Sequence, residues 1–162
     1  MRQIFVSVDI TAPLYWWKEF DTYKVGTVGN STSTMHKLAE TPITIDCFEM
    51  DDFEELSFES NIINHFVLNS KKAVDDIVDI LEDLRLQYFK TKDKRYWKEL
   101  IRLLPESWLQ KRTVTMDYEN LLAMCSKGQR RFHKLTEWSK SFIDWARGLP
   151  YAQELIFIDE IL

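Results

Sequence analysis

The stretch Tyr15–His36 reads YWWKEFDTYKVGTVGNSTSTMH, and its two halves differ sharply in composition. The first half is rich in aromatic residues and includes the adjacent pair Trp16 and Trp17. The second half consists mainly of Gly, Ser, Thr and Asn, and it holds Gly26 and Gly29, two of the four glycines in the chain. The stretch therefore predicts an aromatic helix that leads into a polar segment with a tight backbone course.

The segment before the aromatic helix predicts a strand. Residues 3–10 alternate β-branched residues with others, which is typical of a strand. Thr11 is suited to cap the helix that follows, with Pro13 in its first turn. We expect this helix to end near Tyr23.

The two adjacent tryptophans cannot share one face of a helix. Trp17 lies at three-residue spacing from Leu14 and from Phe20, so these three side chains predict the buried face. Trp16 points elsewhere, and we expect its ring at a subunit interface or at a ligand.

Helical spacing dominates the rest of the chain. Apolar residues three and four positions apart predict a long core helix that begins at Ser60 or Asn61 and ends near Lys90. The other predicted elements are an extended piece at 43–48, a helix at 93–104 that stops before Pro105, a brief strand at 113–115, a helix from Asp117 to near Gly128, and a last long helix at 129–147 whose apolar stripe runs from Phe132 to Trp145. The stripe predicts core packing first and a stacking platform second.

Length and composition predict one globular domain over residues 1–162. The chain has 45% apolar and 29% charged residues, which is typical of a folded protein. Cys47 and Cys125 lie far apart without a metal-type spacing, so neither a disulfide nor a metal site is implied and a reducing compartment fits. No apolar run approaches the ~20 residues that span a bilayer, and we expect a cytoplasmic protein.

The charge is negative overall but unevenly distributed. A net charge of -5 argues against binding nucleic acid or membranes through the whole surface, so we expect neither as a partner. Seven acids and no base fall in residues 46–60, whereas seven bases fall in residues 85–102 and four more in residues 127–134. Two interpretations stay open for the basic runs, a local anion site or solvated helix faces.

The polar segment 26–34, with the sequence GTVGNSTST, has three physical uses. Its backbone N–H groups can cradle a phosphate, its hydroxyls and amide can bind the polar edge of a ligand, or it can form a plain polar loop. It lacks the GxxxxGK[ST] pattern of a P-loop and the GxGxxG pattern of a dinucleotide-binding unit, so we expect neither.

The aromatic helix and the polar segment resemble the signature region of the flavin-dependent thymidylate synthases. In that family a Pro-led aromatic helix leads into Arg-His-Arg-x-x-Ser-x-Asn-Glu-x-Ser-x-Arg-Tyr; here Pro13-Leu-Tyr-Trp-Trp-Lys-Glu-Phe leads into the Ser/Thr/Asn run. The second half is also similar, with Arg102-Leu-Leu-Pro105, then Asn120, then Arg131 eleven residues on, then Thr-Glu-Trp138. Asp117 is an alternative counterpart of the family's Asn.

The resemblance implies a fold, ligands and an assembly. The fold is α+β, a predominantly helical single domain with a small sheet, and the ligands are FAD and a dUMP-like nucleotide in a homotetramer. It also implies site residues: FAD at Lys24, Asn30, Ser33 and Asn120, and the nucleotide at Arg102, Arg131 and Ser33. No catalytic side chain is implied, because the flavin carries the hydride.

Two functional hypotheses follow from the same resemblance. The first is a divergent flavin-dependent enzyme, which if active is a methyltransferase that converts dUMP to dTMP. The second is a catalytically inactive nucleotide sensor or protein-interaction module, of a kind that a phage or mobile element encodes. Without a gap in the alignment the family's Arg-His-Arg corresponds to Tyr23-Lys24-Val25, whereas a one-residue gap near Gly29 places Lys24 on the last Arg. Either register removes most of the cationic start of the motif.

Overall fold

A computed structural model describes residues 1–23, 25–31, 38, 40–51, 53–59 and 67–161. The chain divides into two compact units, one made of Met1–Thr32 with Gln110–Leu162 and the other of Ser33–Leu109. We call these the terminal unit and the middle unit. The single domain that we expect from the length of the chain stays a prediction.

Helical residues outnumber strand residues in the described ranges. The strands are β1 (Phe5–Pro13), β2 (Val28–Ser31), β3 (Ser57–Glu59), β4 (Val67–Asn69) and β5 (Leu109–Asp117). The α-helices are α1 (Leu14–Phe20), α2 (Ser70–Thr91), α3 (Lys94–Leu103), α4 (Tyr118–Met124), α5 (Lys127–Phe132), α6 (Ile143–Arg147) and α7 (Ala152–Leu155). Short 3-10 turns cover Asp21–Tyr23, Ile45–Cys47 and Ile158–Glu160, and a π-helical turn covers Glu137–Phe142. This predominantly helical architecture with a small sheet confirms the predicted α+β class.

A three-stranded sheet organises the terminal unit, with β5 between β1 and β2. β2 and β5 run antiparallel, with Gly29 opposite Val114 and Asn30 opposite Thr113. Thr113 is exposed and donates its hydroxyl hydrogen to Asp9 of β1 at 2.6 Å, so this face of the sheet is polar. Val114, which points to the other face, is buried against the core.

Three tryptophans lie at the centre of this core, where Trp16, Trp17 and Trp138 are each at most 1% exposed. The Trp16 ring centroid lies 4.9 Å from that of Trp17 and 5.1 Å from that of Trp138. The Trp17 indole N–H donates to the carbonyl of Ala12 at 3.1 Å, and that of Trp138 to the carbonyl of Met124 at 3.1 Å. The expectation that Trp16 faces a subunit or a ligand is wrong, because the π-helical turn covers the second face of α1.

The start of α1 also differs from the prediction. Thr11 lies within β1 and does not cap the helix. Pro13 is the N-cap instead, with extended backbone angles of φ -68° and ψ 159°. The sheet holds this segment as a strand up to the residue before the helix, so local capping preferences do not decide the boundary.

α2 begins at Ser70, later than the predicted start. The residues before it form β4, which pairs antiparallel with β3, and Asn69 caps the helix by accepting the backbone N–H of Lys72 at 2.8 Å. β4 continues the apolar spacing of the helix in an extended backbone, so spacing alone misplaced the boundary. The predicted start at Ser60 or Asn61 lies outside the described residues.

The long helix predicted over residues 129–147 consists of three shorter pieces, α5, the π-helical turn and α6. The backbone leaves the helical region at His133, where φ is -66° and ψ is 128°. Trp138 and Phe142 reach the core from the π-helical turn, whereas Phe132 is 75% exposed. The apolar stripe predicted that Phe132 is a core residue, and this prediction is wrong.

Three other boundaries were predicted only in part. The brief strand at 113–115 belongs to the longer β5, and the helix that Asp117 caps ends at Met124 rather than near Gly128. The extended piece at 43–48 contains the 3-10 turn Ile45–Cys47. The helix predicted at 93–104 is confirmed, because α3 spans Lys94–Leu103 behind the N-cap Asp93.

The middle unit is built on α2 and α3, which pack against each other. Its buried apolar residues are Leu38, Ile43, Phe48, Leu81 and Leu100. A salt bridge lies at the edge of this core, where Arg85 Nη2 is 2.6 Å from Glu82 and the Ile43 backbone N–H donates to the same carboxylate at 2.8 Å. The Arg85 guanidinium, followed by that N–H, holds the pKa of Glu82 below its usual value.

Both cysteines are free thiols. Cys125 is buried in the terminal unit, and burial raises the pKa of its thiol to about 12, so the thiolate is not available at neutral pH. In the part of the chain that the structure describes, none of the helices is long and apolar enough to cross a membrane.

Two arginines tie the C-terminal 3-10 turn to the terminal unit. Arg147 bonds Glu160 through two nitrogens at 2.7 and 2.8 Å, and Arg130 Nε lies 2.9 Å from the same carboxylate. Arg130 also bonds Asp159 at 2.5 Å. The Arg147 guanidinium lowers the pKa of Glu160 below its ordinary value of 4.5.

This network predicts a loss of stability in acid. Because the pKa of Glu160 is lowered on folding, its stabilising effect is present above pH 4.5 and is lost as the pH falls through the folded-state pKa. Glu160→Gln is therefore expected to cost about 0.5–1 kcal/mol at pH 7 and less at pH 3. Urea unfolding at both pH values measures this, and an equal cost at both would contradict an ionic origin.

Candidate functional site

A groove of about 870 Å³ lies in the terminal unit between α1 and the segment 126–135. We call it the α1–α5 groove. Its volume is in the range of pockets that hold small ligands. Its lining residues are Tyr15, Lys18 and Glu19 of α1 on one wall, and Ser126, Gly128, Gln129, Phe132, His133, Lys134 and Leu135 on the other.

Local structure explains why these side chains converge. Tyr15, Lys18 and Glu19 have the three- and four-residue spacing that places them on one side of α1. The end of α5 turns the backbone away at His133, so Phe132 stays outside the core and remains 75% exposed. The irregular segment that follows leads into the π-helical turn, a type of turn that is frequent near functional sites.

A chain of polar contacts forms one side of the groove. The Gln129 side-chain amide donates to the Tyr23 hydroxyl, and Tyr23 is hydrogen-bonded to Glu19. Glu19 Oε1 lies 3.7 Å from His133 Nε2. Burial, together with the nearby Glu19 carboxylate, raises the pKa of the Tyr23 phenol above 10, so this hydroxyl keeps its proton at neutral pH.

His133 has a defined orientation in this chain of contacts. Its Nδ1 accepts the backbone N–H of Leu135 at 3.1 Å, so the neutral ring carries its proton on Nε2 and directs it toward Glu19. The ring stacks on Trp138, with centroids 5.0 Å apart and planes 8° apart. The groove therefore offers one fixed donor to a ligand, the His133 Nε2–H, which is too far from Glu19 for a hydrogen bond, and one carboxylate acceptor, Glu19.

Cations flank the same groove. Lys18 and Lys134 line it and are exposed. Arg131 lies on the helix that forms the second wall, with its guanidinium carbon 5.5 Å from the Phe132 ring centroid. An exposed aromatic ring beside several cations can bind a planar ligand that carries an anionic group.

A second pocket, of about 400 Å³, surrounds Asn120 and the turn at Gly26. We call it the Asn120 pocket. The Asn120 side chain completes a capping box with Asp117, and its amide nitrogen donates to the carbonyls of Val25 at 2.7 Å and Tyr23 at 3.3 Å. Gly26 has φ +88°, a backbone region that favours glycine.

The Asn120 pocket is acidic. Asp117 and Glu119 both line it, and Arg2 is engaged by Glu119 through contacts of 2.6 and 2.8 Å. The guanidinium charge therefore neutralises one of the two carboxylates, and the pocket presents no excess positive charge in the described residues.

The structure brings together only some of the residues that the sequence singled out. Arg131 lies beside the α1–α5 groove, and Asn120 anchors the residues on either side of position 24.

The other predicted site residues that the structure describes do not line either site. Asn30 is exposed on β2, opposite Thr113. Arg102 lies in the middle unit and contacts Glu99. Lys24 and Ser33 lie outside the described residues.

Sequence reasoning missed most of the α1–α5 groove. Lys18, Glu19 and Gln129 were not assigned a role. His133 has no paired carboxylate or cysteine at a useful spacing in the sequence, so the sequence predicts a structural, surface or phosphate-adjacent group there. The available signal was the shared face of Tyr15, Lys18 and Glu19, polar side chains on a helix whose other side is aromatic. Among the described residues no group of His, Cys, Asp and Glu could hold a metal ion.

Comparisons with known proteins identify the fold to which this chain is similar. No protein-family model matches the chain, and no curated protein matches it by sequence. A flavin-dependent thymidylate synthase, ThyX from Helicobacter pylori complexed with FAD and dUMP, matches 96% of this chain and 72% of its own, with 16% identity and a TM-score of 0.59. A second structure of that enzyme gives a TM-score of 0.61. The UMP/dUMP methylase PolB from Streptomyces cacaoi, bound with 5-Br UMP, matches 95% of this chain and 73% of its own, with 10% identity and a TM-score of 0.61.

The chain therefore has the fold of the flavin-dependent thymidylate synthases, as its sequence resemblance implied. Identities of 10% and 16% make it a divergent example of that fold. The likeness extends over nearly the whole chain.

Proposed function

We propose that this chain is a pyrimidine-nucleotide-binding protein built on the thymidylate synthase fold. The observation that carries the proposal is the fold match to structures complexed with dUMP or 5-Br UMP, which covers at least 95% of the chain. The α1–α5 groove supports it, because a nucleotide monophosphate needs cations for its phosphate, an apolar surface for its base and polar groups for the base edge.

Each of these needs has a counterpart in the α1–α5 groove. Lys18, Lys134 and Arg131 would receive the phosphate through charge-assisted hydrogen bonds. The exposed Phe132 ring would stack against the pyrimidine. The Glu19 carboxylate and the His133 Nε2–H would bind the donor and the acceptor of the base edge.

The described residues of the Asn120 pocket do not fit a flavin pyrophosphate. Two carboxylates line the pocket, and Asn120 already uses its side chain in the capping box and in the turn at Gly26. A dianionic pyrophosphate would be repelled there. If the protein binds FAD, its phosphates would therefore depend on Lys24, Asn30 and Ser33.

We further propose that the protein binds its nucleotide without turnover, as a sensor or an interaction module. Charge-assisted hydrogen bonds contribute about 1.5–3 kcal/mol each, so loss of the family's arginine triplet weakens cofactor binding by a factor of ~10³ or more unless other cations replace it. The alternative is an active enzyme that converts dUMP to dTMP with FAD, which the FAD-bound ThyX structures favour. Release of the C5 proton of dUMP in the presence of reduced flavin and methylenetetrahydrofolate would establish the enzyme.

Nucleotide binding is expected to raise the melting temperature of the protein. UMP or dUMP at 100 times its dissociation constant adds about 2.7 kcal/mol to the free energy of unfolding, or several degrees for a chain of this length. Arg131→Ala is expected to abolish the shift, whereas Lys140→Ala, an exposed cation outside the groove lining, is expected to preserve it. If neither nucleotide shifts the melting temperature at millimolar concentration, the proposal is wrong.

FAD is tested in the same experiment by its absorbance spectrum. A perturbed flavin band that depends on dUMP would support the enzyme, and an unchanged band together with a nucleotide shift would support the sensor. The predicted homotetramer is tested separately by the mass of the protein in solution with and without nucleotide.

A further inference from the structure

The turn between α2 and α3, in the middle unit, combines exposed lysines with an exposed aromatic ring. Residues 89–98 read FKTKDKRYWK, with five bases and one acid in a chain whose net charge is -5. We call Phe89, Lys90, Lys92, Lys94 and Lys98 the α2–α3 basic patch. All five side chains belong to exposed residues.

The lysines of this patch differ from others on the same helix. Lys71 and Lys72 pair with Asp75 and Asp76 one turn along α2. Within the described residues no carboxylate lies within 4.0 Å of the ammonium groups of the four patch lysines. The sole acid of the segment, Asp93, is engaged by the side chain and the backbone of Arg95.

Lys92 has a backbone conformation that is unusual for a lysine. Lys92 is the C-cap of α2 and has φ 57° and ψ 15°, in the left-handed region where glycine is favoured. Glycine there would relieve the strain but would remove the cation. The Lys92 ammonium lies 4.3 Å from the Phe89 ring centroid, so the charge and the ring form one surface.

The apolar part of the patch is larger than one ring. Phe89 is 63% exposed, and Leu86, one turn earlier on the same side of α2, is 48% exposed. On α3, Lys94 and Lys98 are four residues apart and lie about 6 Å apart along the helix axis. Half-buried Trp97 and buried Leu100 face inward, so the lysines form the outer side of α3.

We propose that the α2–α3 basic patch binds single-stranded nucleic acid. A row of lysines tracks a phosphate backbone, and an exposed ring between them stacks on a base, which is the combination used for strand binding without sequence preference. An acidic peptide would satisfy the lysines but has no base to stack on the exposed Phe89 ring. The net negative charge of the whole chain confines this binding to the patch, and it does not depend on the nucleotide proposed for the α1–α5 groove.

The test is fluorescence anisotropy of a labelled oligo-dT with the full chain over a range of salt concentrations. About four phosphate contacts should give a slope of log affinity against log salt near -3. Replacing Lys90, Lys92, Lys94 and Lys98 together by Gln is expected to weaken binding at least ~10-fold and to flatten the slope. Phe89→Ala is expected to weaken binding at least ~5-fold without changing the slope.

Matched controls separate this site from general charge effects. Lys71→Gln with Lys72→Gln removes two cations from the same helix and should change affinity less than 2-fold, and Lys140→Gln, an exposed cation of the terminal unit outside the α1–α5 groove, should leave oligonucleotide binding unchanged. Circular dichroism confirms folding of each variant. The proposal is overturned if oligo-dT does not bind at low salt, or if polyglutamate or anionic vesicles bind with equal affinity and Phe89→Ala has no effect.

Discussion

Replacing Trp16 with alanine is expected to lower the free energy of unfolding by about 3–5 kcal/mol, a large part of the stability of a typical domain. The ring is 1% exposed and packs on four aromatic neighbours, Trp17, Phe20, Trp138 and Phe142, with centroid distances from 4.9 to 5.5 Å. Its removal leaves a cavity between α1 and the π-helical turn, which the surrounding rings fill only in part.

Urea unfolding followed by far-ultraviolet circular dichroism measures this loss, because tryptophan fluorescence changes with the substitution itself. Phe132→Ala is the matched control, an aromatic residue of the same unit that is 75% exposed. It should change the free energy of unfolding by less than about 0.5 kcal/mol. Equal effects of the two substitutions would contradict the assignment of Trp16 to the core and of Phe132 to the groove.

Replacing Lys18 and Lys134 together by glutamine is expected to weaken pyrimidine-nucleotide binding by about 100-fold or more. Each lysine would contribute a charge-assisted hydrogen bond of roughly 1.5–3 kcal/mol to the phosphate, and glutamine keeps the chain length while removing the charge. Both residues line the α1–α5 groove and are exposed, so the substitutions should not unfold the protein. Isothermal titration calorimetry with UMP and dUMP measures the change.

Lys140→Gln is the control, since Lys140 is exposed on the π-helical turn and does not line the groove. A second measurement uses uridine, the nucleoside without a phosphate, as the ligand. If the lysines receive the phosphate, uridine should bind the wild-type protein and the double variant with similar affinity. If the double variant binds UMP as tightly as the wild type, the two lysines do not bind the phosphate and the proposed placement of the phosphate in this groove is wrong.

The α1–α5 groove and the Asn120 pocket differ in charge, and this difference shapes the proposed function. The groove has cations, a ring and a donor–acceptor pair, whereas the pocket is lined by Asp117 and Glu119 and its amide side chain is already used. A protein with these two sites fits the binding of a nucleotide better than the binding of a flavin dinucleotide. The nucleotide titration with FAD as a separate arm decides between them.

Much of the fold was predictable because it depends on local signals. Asp117 caps α4 as its sequence position predicts, and the helix predicted from Asp93 begins one residue later, behind the N-cap Asp93, and ends before Pro105. The order of motifs along the chain, from Pro13 through Arg131, predicted the fold class that the structure comparisons confirm. Caps and prolines act within a few residues of the chain, and motif order can be compared directly along it, so a single sequence contains both signals.

Of the residues that the resemblance assigns to the nucleotide, Arg131 lies beside the α1–α5 groove, and its role there stays a prediction. The rest of the groove could not be predicted, because it is assembled across the chain. Glu19 and His133 are far apart in sequence and meet only when α1 packs on the end of α5. Asn120, which the resemblance assigns to a cofactor, bonds Tyr23 and Val25 across a similar separation. Spacing rules within one segment do not predict contacts between residues that are so far apart in sequence.

The sequence by itself determined the α+β class, the Asp117 cap of α4, the absence of a disulfide pattern and the uneven charge. Tertiary structure alone decided that Trp16 is core, that Phe132 is exposed, and that the predicted helix over 129–147 breaks at His133. The physical reason is competition for burial. Amphipathic spacing states which side chains prefer a core, but the packing of α1 against the π-helical turn determines which rings fit there. Phe132 stays outside because the backbone leaves the helical region directly after it, at His133.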